Sequence, residues 1–219
     1  MQDSLAIALA WPNTKCKQTG AWYDKPAGLL GIKKGNYYKV GHSAIVLINP
    51  NQLKCHYFDF GRYHAPKNYG RVRDEITDHE LKICTKAKFS KHQKLENYQE
   101  IIDELQAKPS CHGNGQLYAG LVKINFAKAY KMAKKMQDKG VIEYGPFVTQ
   151  GTNCSRFVRT IILNSNFSPK LKLKLKYTRT ISPTPIGIVY NLSQILKANI
   201  SSESKHFKNS KKTWETLIQ

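Results

Sequence analysis

The sequence predicts an α+β domain in which an antiparallel sheet carries a cysteine-bearing helix packed on it. Three segments carry this expectation. Ala44 to Ile48 is an apolar, β-rich run, followed by Asn-Pro-Asn-Gln-Leu and then Lys54 to Gly61, which reads as a β-hairpin. Gly151 to Thr160 reads Gly-Thr-Asn-Cys-Ser-Arg-Phe-Val-Arg-Thr and opens a helix with Phe157, Val158, Ile161 and Ile162 on one face. Leu117 to Phe126 reads as a strand running into a lysine-rich helix.

The remaining elements follow in chain order. Ser4 to Trp11 is apolar and suits a first strand, because it lacks the basic start and the cleavage site of a signal peptide. Glu75 to Lys88 is expected to end in a strand. Lys91 to Ala107 is expected to be a helix with Leu95, Tyr98, Ile102 and Leu105 as its buried stripe and Pro109 beyond its end. Phe126 to Lys139 places Phe126, Ala129, Tyr130, Ala133 and Met136 on one face, with Gly140 as its stop. Lys170 to Tyr177 alternates Lys and Leu, which suits an edge strand or an amphipathic surface with a leucine face. Ser182-Pro-Thr-Pro is a stiff turn, and Val189 to Lys197 a short helix. Residues 1–190 are read as one catalytic domain and 191–219 as a basic C-terminal helix and tail.

Cys154 is the leading candidate for chemistry. A cysteine on an amphipathic helix is ordinarily a small buried apolar residue. Here it sits in the first turn, after Thr152 and Asn153 as candidate N-caps. The positive helix end and unpaired N–H groups there favour a thiolate and could hold an oxyanion. A nucleophilic cysteine needs a base. His206 lies in a polar, basic tail, whereas His42 follows Gly41 at the start of the hairpin's first strand. A loop of Pro50 to Leu53 would pair Asn49 with Lys54 and set His42 opposite Gly61. Asp59 would then lie diagonally on the same face as His42. A one-residue slip would turn His56 to that face instead, so register decides between Asp59 and His56, with Asp59 preferred.

These motifs resemble known cysteine enzymes. Asn-Cys-Ser-Arg-Phe-Val-Arg is similar to the nucleophile helix of NlpC-type peptidases. Gly-His-Ser-Ala-Ile-Val precedes it, an order that resembles the circularly permuted papain-like group, which includes the lecithin–retinol acyltransferase-like proteins. The hairpin loop here is longer than in those proteins. Gly-Ala-Trp-Tyr-Asp and Tyr-Phe-Asp-Phe-Gly-Arg-Tyr also resemble a bacterial family with no assigned substrate. The resemblance implies a permuted papain-like fold, Cys154 as nucleophile, His42 as base and Asp59 or His56 as the orienting group. It further implies a thiol-dependent hydrolase or acyltransferase acting on an amide, ester or thioester. Trp22, Tyr23, Arg62 and Asn153 are the candidate substrate contacts.

Other motifs are weaker. Cys55-His56 alternates faces on a strand and cannot readily chelate one ion, and no Cys-x-x-Cys spacing occurs, so neither metal nor cofactor is expected. Cys16 could serve an unpermuted papain-like site, and Cys111-His112 is a further alternative. The cysteine count is odd, without framework spacing, so a reducing cytoplasm is the default. Arg62, Tyr63 and His64 could meet an anionic substrate. There are 35 Lys and Arg against 15 Asp and Glu, giving a net charge of +20. That charge suits an anionic small molecule, peptide or lipid substrate. It also allows a second function class, a non-catalytic binding protein for nucleic acid or an anionic membrane.

Overall fold

The structure, a computed structural model, describes residues 4–17, 33–34, 37–38, 40–166, 168–177 and 182–196. Nine strands are present among them: β1 Ser4–Trp11, β2 Cys16–Lys17, β3 Lys33–Lys34, β4 Tyr37–Tyr38, β5 His42–Asn49, β6 Lys54–Gly61, β7 Tyr69–Arg73, β8 Tyr118–Ile124 and β9 Val141–Glu143. The helices are α1 Tyr98–Ala107, α2 Phe126–Gln137, α3 Cys154–Ser165, α4 Pro169–Lys176 and α5 Pro185–Leu196. Six strands form one sheet in the order β8-β1-β5-β6-β7-β9, every neighbour antiparallel. The chain is therefore α+β with an antiparallel sheet.

Strand alternation explains the two cores. Ala6, Ala8 and Ala10 of β1 point to one face together with Ile45, Leu47, Phe58 and Phe60. Phe157, Val158, Ile161 and Ile162 of α3 cover that face, flanked by α2, α4 and α5. Leu5, Ile7 and Leu9 point the other way with Val46, Ile48 and Tyr57, under α1 and the segment around Leu81. Both faces are buried, which is why β1 and β5 read as continuous apolar runs rather than clean alternation.

Local polar groups set the element ends. The Asn153 side chain accepts from Arg156 N at 2.8 Å and so starts α3. Asn125 caps α2 in the same way at Lys128 N, and Gly140 follows that helix at φ +69°. The hairpin register pairs Asn49 with Lys54 and Ala44 with Asp59, as the loop Pro50 to Leu53 predicts.

Four expectations are corrected. Residues 82–88 make no strand. Glu104 accepts from Cys84 N and Thr85 N, both at 2.8 Å, and Ala87 N donates to Leu53 O, so side chains and a loop carbonyl satisfy this backbone. The helix expected from Lys91 begins only at Tyr98. Asn97 binds Lys88 N and Lys86 O, and Phe89 bridges Leu95, holding that stretch as a loop. The Lys-Leu alternation is helical, not an edge strand. Pro169 starts α4 behind the Ser168 cap, and Leu171 and Leu175, four apart, fill the core while Leu173 is 60% exposed. The helix expected from Val189 begins at Pro185, and residues 197–219, with His206, lie outside the described residues.

The α4 packing separates buried from exposed leucines. Leu175→Ala should cost about 2–5 kcal/mol by urea unfolding, whereas Leu173→Ala should stay within about 0.5 kcal/mol.

Candidate active site

The site lies at the end of the sheet where β1 finishes and β5 begins. Gly41 holds a positive φ of +73°, and a Cβ there would sit 2.9 Å from Trp11 O, so only glycine fits the close turn into β5. His42 follows. It pairs across the ladder with Trp11 and stacks on its ring, centroids 5.9 Å apart. His42 is 6% exposed and its Nε2 lies 3.3 Å from Asp59 Oδ2.

Asp59 is fully buried, yet its carboxylate is saturated with donors. Arg73, its direct partner on β7, donates Nε to Oδ1 at 3.0 Å and Nη2 to Oδ2 at 2.6 Å. Tyr57, two residues away on the same face, donates its hydroxyl to Oδ2 at 3.1 Å. Arg73 also donates to Ser110 O at 3.1 Å, and its guanidinium lies 3.4 Å from the centroid of the Tyr63 ring. A Cβ on Gly61 would fall 2.3 Å from that ring, so glycine lets Tyr63 fold back beneath His42, with its hydroxyl 3.5 Å from Nε2.

The electrostatics follow from these bonds. Burial raises the pKa of Asp59, but hydrogen bonds and charge from His42 and Arg73 outweigh it and hold the carboxyl below its usual range. Burial opposes a charged His42. Hydrogen bonds to Asp59 and Cys154, and the charges of both, overcome that and raise the imidazole to about 9. A pKa raised that far favours the imidazolium at neutral pH, the form in which Nε2–H would donate to Asp59. A raised histidine pKa means that this interaction stabilises the fold fully below about 6.5 and is lost as pH rises through about 9.

Cys154 opens α3 and faces the same cleft as His42. It is 7% exposed, and its Sγ lies 4.0 Å from Ser155 Oγ. As the first residues of the helix, Cys154 and Ser155 carry N–H groups with no acceptor inside it. The cleft has a volume of about 320 Å³.

The structure thus gathers His42, Asp59 and Cys154 in one place and leaves other candidates elsewhere. His56 pairs with Leu47 and points to the opposite face of the sheet, against Phe126 and Tyr130, with Nδ1 3.6 Å from Glu75. It cannot orient His42, because the register puts it on the wrong parity. Asn153 spends its side-chain oxygen on the α3 cap and donates Nδ2 to Ser182 Oγ at 3.3 Å. Cys111 is sealed in the core, and burial pushes its thiol up to about 12, so Cys111-His112 is no second nucleophile site. Cys16 lines the cleft, its Sγ 3.6 Å from Tyr144 Oη and accepting from Arg62 Nη2 at 3.4 Å. Trp22 and Tyr23 lie outside the described residues. Among the described residues no cluster of three or more His, Cys, Asp or Glu could hold a metal, and no helix is long and apolar enough to cross a membrane. Arg73, Tyr57 and Tyr144 were missed by sequence reasoning. The Arg71-Val72-Arg73 alternation was the available signal for a charged position facing Asp59.

The family model described as type VI secretion system effector TseH-like matches residues 6–171. The chain belongs to the TseH-like family. Its fold is similar to the crystal structure of the type VI secretion system effector TseH, with a TM-score of 0.54 at 15% identity, covering 88% of this chain and 89% of that one. The similarity at that identity shows a shared α+β fold. Comparison with curated proteins finds no match.

The Asp59–Arg73 pair makes a stability prediction for this TseH-like chain. Arg73→Met strips the buried carboxylate of its two-point partner, leaving only Tyr57 and His42 on Oδ2, and should cost about 3–5 kcal/mol in urea unfolding. Adding Asp59→Leu should recover at least half of that loss, because it removes the stranded charge.

Proposed function

We propose that this TseH-like protein is a cysteine hydrolase or acyltransferase that works through an acyl-cysteine intermediate. The observation that carries the reading is the shared cleft: His42, bonded to Asp59 on one side, meets Cys154 at a helix N-terminus on the other. With Nε2 committed to Asp59, Nδ1 is the nitrogen left for the thiol.

Cys154 Sγ attacks the carbonyl carbon of an amide, ester or thioester, and the thiol proton resides on His42. The carbonyl oxygen becomes an oxyanion, held by the N–H groups that open α3. The tetrahedral intermediate collapses, the bond to the leaving group breaks, and His42 returns its proton to the departing amine, alkoxide or thiolate. Water, or an acceptor amine or alcohol, then gives a proton to His42 and attacks the thioester. Collapse releases the acid or the transferred acyl group and restores Cys154. Asp59 fixes the imidazole and stabilises its charged form throughout.

In this reading the molecule is papain-like, with the histidine strand preceding the cysteine helix, the order of the permuted group. The family name supports action as a delivered effector, in place of a role in the cytoplasm that made it. The lysines of α2 and α4 lie mainly on the outer surface and would draw the protein toward anionic targets.

Iodoacetamide labelling with mass-spectrometric mapping tests the nucleophile. At pH 7 Cys154 should react at least about tenfold faster than the exposed Cys84, and His42→Ala should remove that advantage. Equal labelling of the two thiols in wild type and His42→Ala would sink the catalytic reading. Turnover of any carbonyl substrate should fall as pH rises through about 9, where His42 loses the proton that the leaving group needs.

A further inference from the structure

Helices α3, α4 and α5 carry positive charge that no acidic residue of their own offsets. No Asp or Glu occurs anywhere from Tyr144 to Ser202 in the sequence. α4 is the most basic part of that stretch, with Lys170, Lys172, Lys174 and Lys176 in a helix of eight residues. Among the described residues none of these four lysines is in an ion pair. Lys170, Lys172 and Lys176 are exposed, and Lys174 is partly so.

The same helix carries apolar side chains outward. Leu171 and Leu175 fill the core, which turns the opposite side of α4 to solvent. Leu173 lies there at 60% exposure, and Tyr177, the C-cap residue, at 69%. At about 100° per residue these two stand about 40° apart, one turn from each other, on a single ridge. The same geometry sets Lys170 and Lys174 on one flank of the ridge and Lys172 and Lys176 on the other. The Lys176 ammonium lies 5.7 Å from the centroid of the Tyr177 ring, which keeps that flank against the ridge.

One exposed leucine is ordinary on a protein surface. An apolar ridge bordered by lysines on both sides is the pattern of a helix lying in a lipid–water interface. Leucine reaches the acyl boundary there, a tyrosine ring sits at headgroup level, and lysine stems extend to the phosphates. Charge argues against two other occupants. A second copy of the chain would bring the same lysines against these, and residues 197–219, with five Lys against two Glu, share their sign. A nucleic acid would pair with the lysines and leave Leu173 without an apolar partner.

We infer that α4 docks the protein on an anionic phospholipid surface, with Leu173 and Tyr177 inserted among the headgroups and the four lysines on lipid phosphates. This docking is independent of Cys154 being the nucleophile.

Flotation of the full chain with vesicles of mixed phosphatidylglycerol and phosphatidylcholine, against vesicles of phosphatidylcholine alone, tests it. Wild type should bind the anionic vesicles and not the neutral ones. Lys170→Gln with Lys174→Gln should weaken binding roughly twentyfold, about fivefold for each charge lost. Lys128→Gln with Lys131→Gln, the same charge change at exposed positions of α2, should weaken it by roughly threefold or less. Leu173→Ala, whose side chain lies outside the core, should weaken it roughly three- to tenfold and leave its salt dependence unchanged. Equal losses from the α2 and α4 pairs, or no loss from Leu173→Ala, would overturn the docked ridge and leave only a general attraction to the net charge. Wild type that floats with neither vesicle also overturns it, and binding of a DNA duplex that is lost in the α4 lysine pair would then assign the helix to nucleic acid.

Discussion

The buried ion pair between Asp59 and Arg73 is the constraint on which the site depends. A carboxylate taken wholly out of water is strongly disfavoured unless it is paired and hydrogen-bonded. Here the pair is a cross-strand one, set by the register of β6 on β7, and the arginine reaches both oxygens. That arrangement leaves Asp59 ionised and fixed in direction. His42 then has an anion at a defined distance behind it, and its charge follows. Tyr63 closes the group by lying over the guanidinium while its hydroxyl approaches the imidazole. Glycine at 61 leaves room for the Tyr63 ring, and glycine at 41 allows the close turn that leads into His42.

The sheet and the helix supply different halves of the proposed site. β5 and β6 carry His42 and Asp59, held by strand pairing. α3 carries the sulfur and the N–H groups, held by the apolar stripe from Phe157 to Ile162 against the helix-covered face of the sheet. The two halves meet only at the end of the sheet, where a strand start and a helix start converge. Thr14, Lys15, Cys16 and Arg62 then line the cleft. Thr14 O accepts from Gly41 N and its hydroxyl accepts from Asn114 N, which ties this wall to the turn before His42.

Much of this was legible in the residues. The hairpin register followed from one short loop, and with it the face shared by His42 and Asp59. The cap and stripe of α3 were local signals, and local signals survive folding. The parts that were not legible depend on distant partners. Arg73 has no meaning as a partner until β7 is placed beside β6. Cys16 and Tyr144 come from segments far apart in sequence and meet only in the cleft. The segment from Glu75 to Lys88 does not end in a strand because Glu104 and Asn97 satisfy its backbone in place of a neighbouring strand. In α4 the Lys-Leu alternation fits period two as well as a four-residue spacing, and the Ser168-Pro169 start decides for a helix.

The central claim is that Asp59 holds His42 as an imidazolium beside Cys154. The most direct measurement is an NMR titration of the His42 ring nitrogens in wild type and in Asp59→Asn. The account predicts a wild-type pKa well above 6.5, near 9, with Nε2 keeping its proton, and a fall to or below 6.5 in the variant. A wild-type His42 titrating at or below 6.5, or a value that Asp59→Asn leaves unmoved, would contradict it.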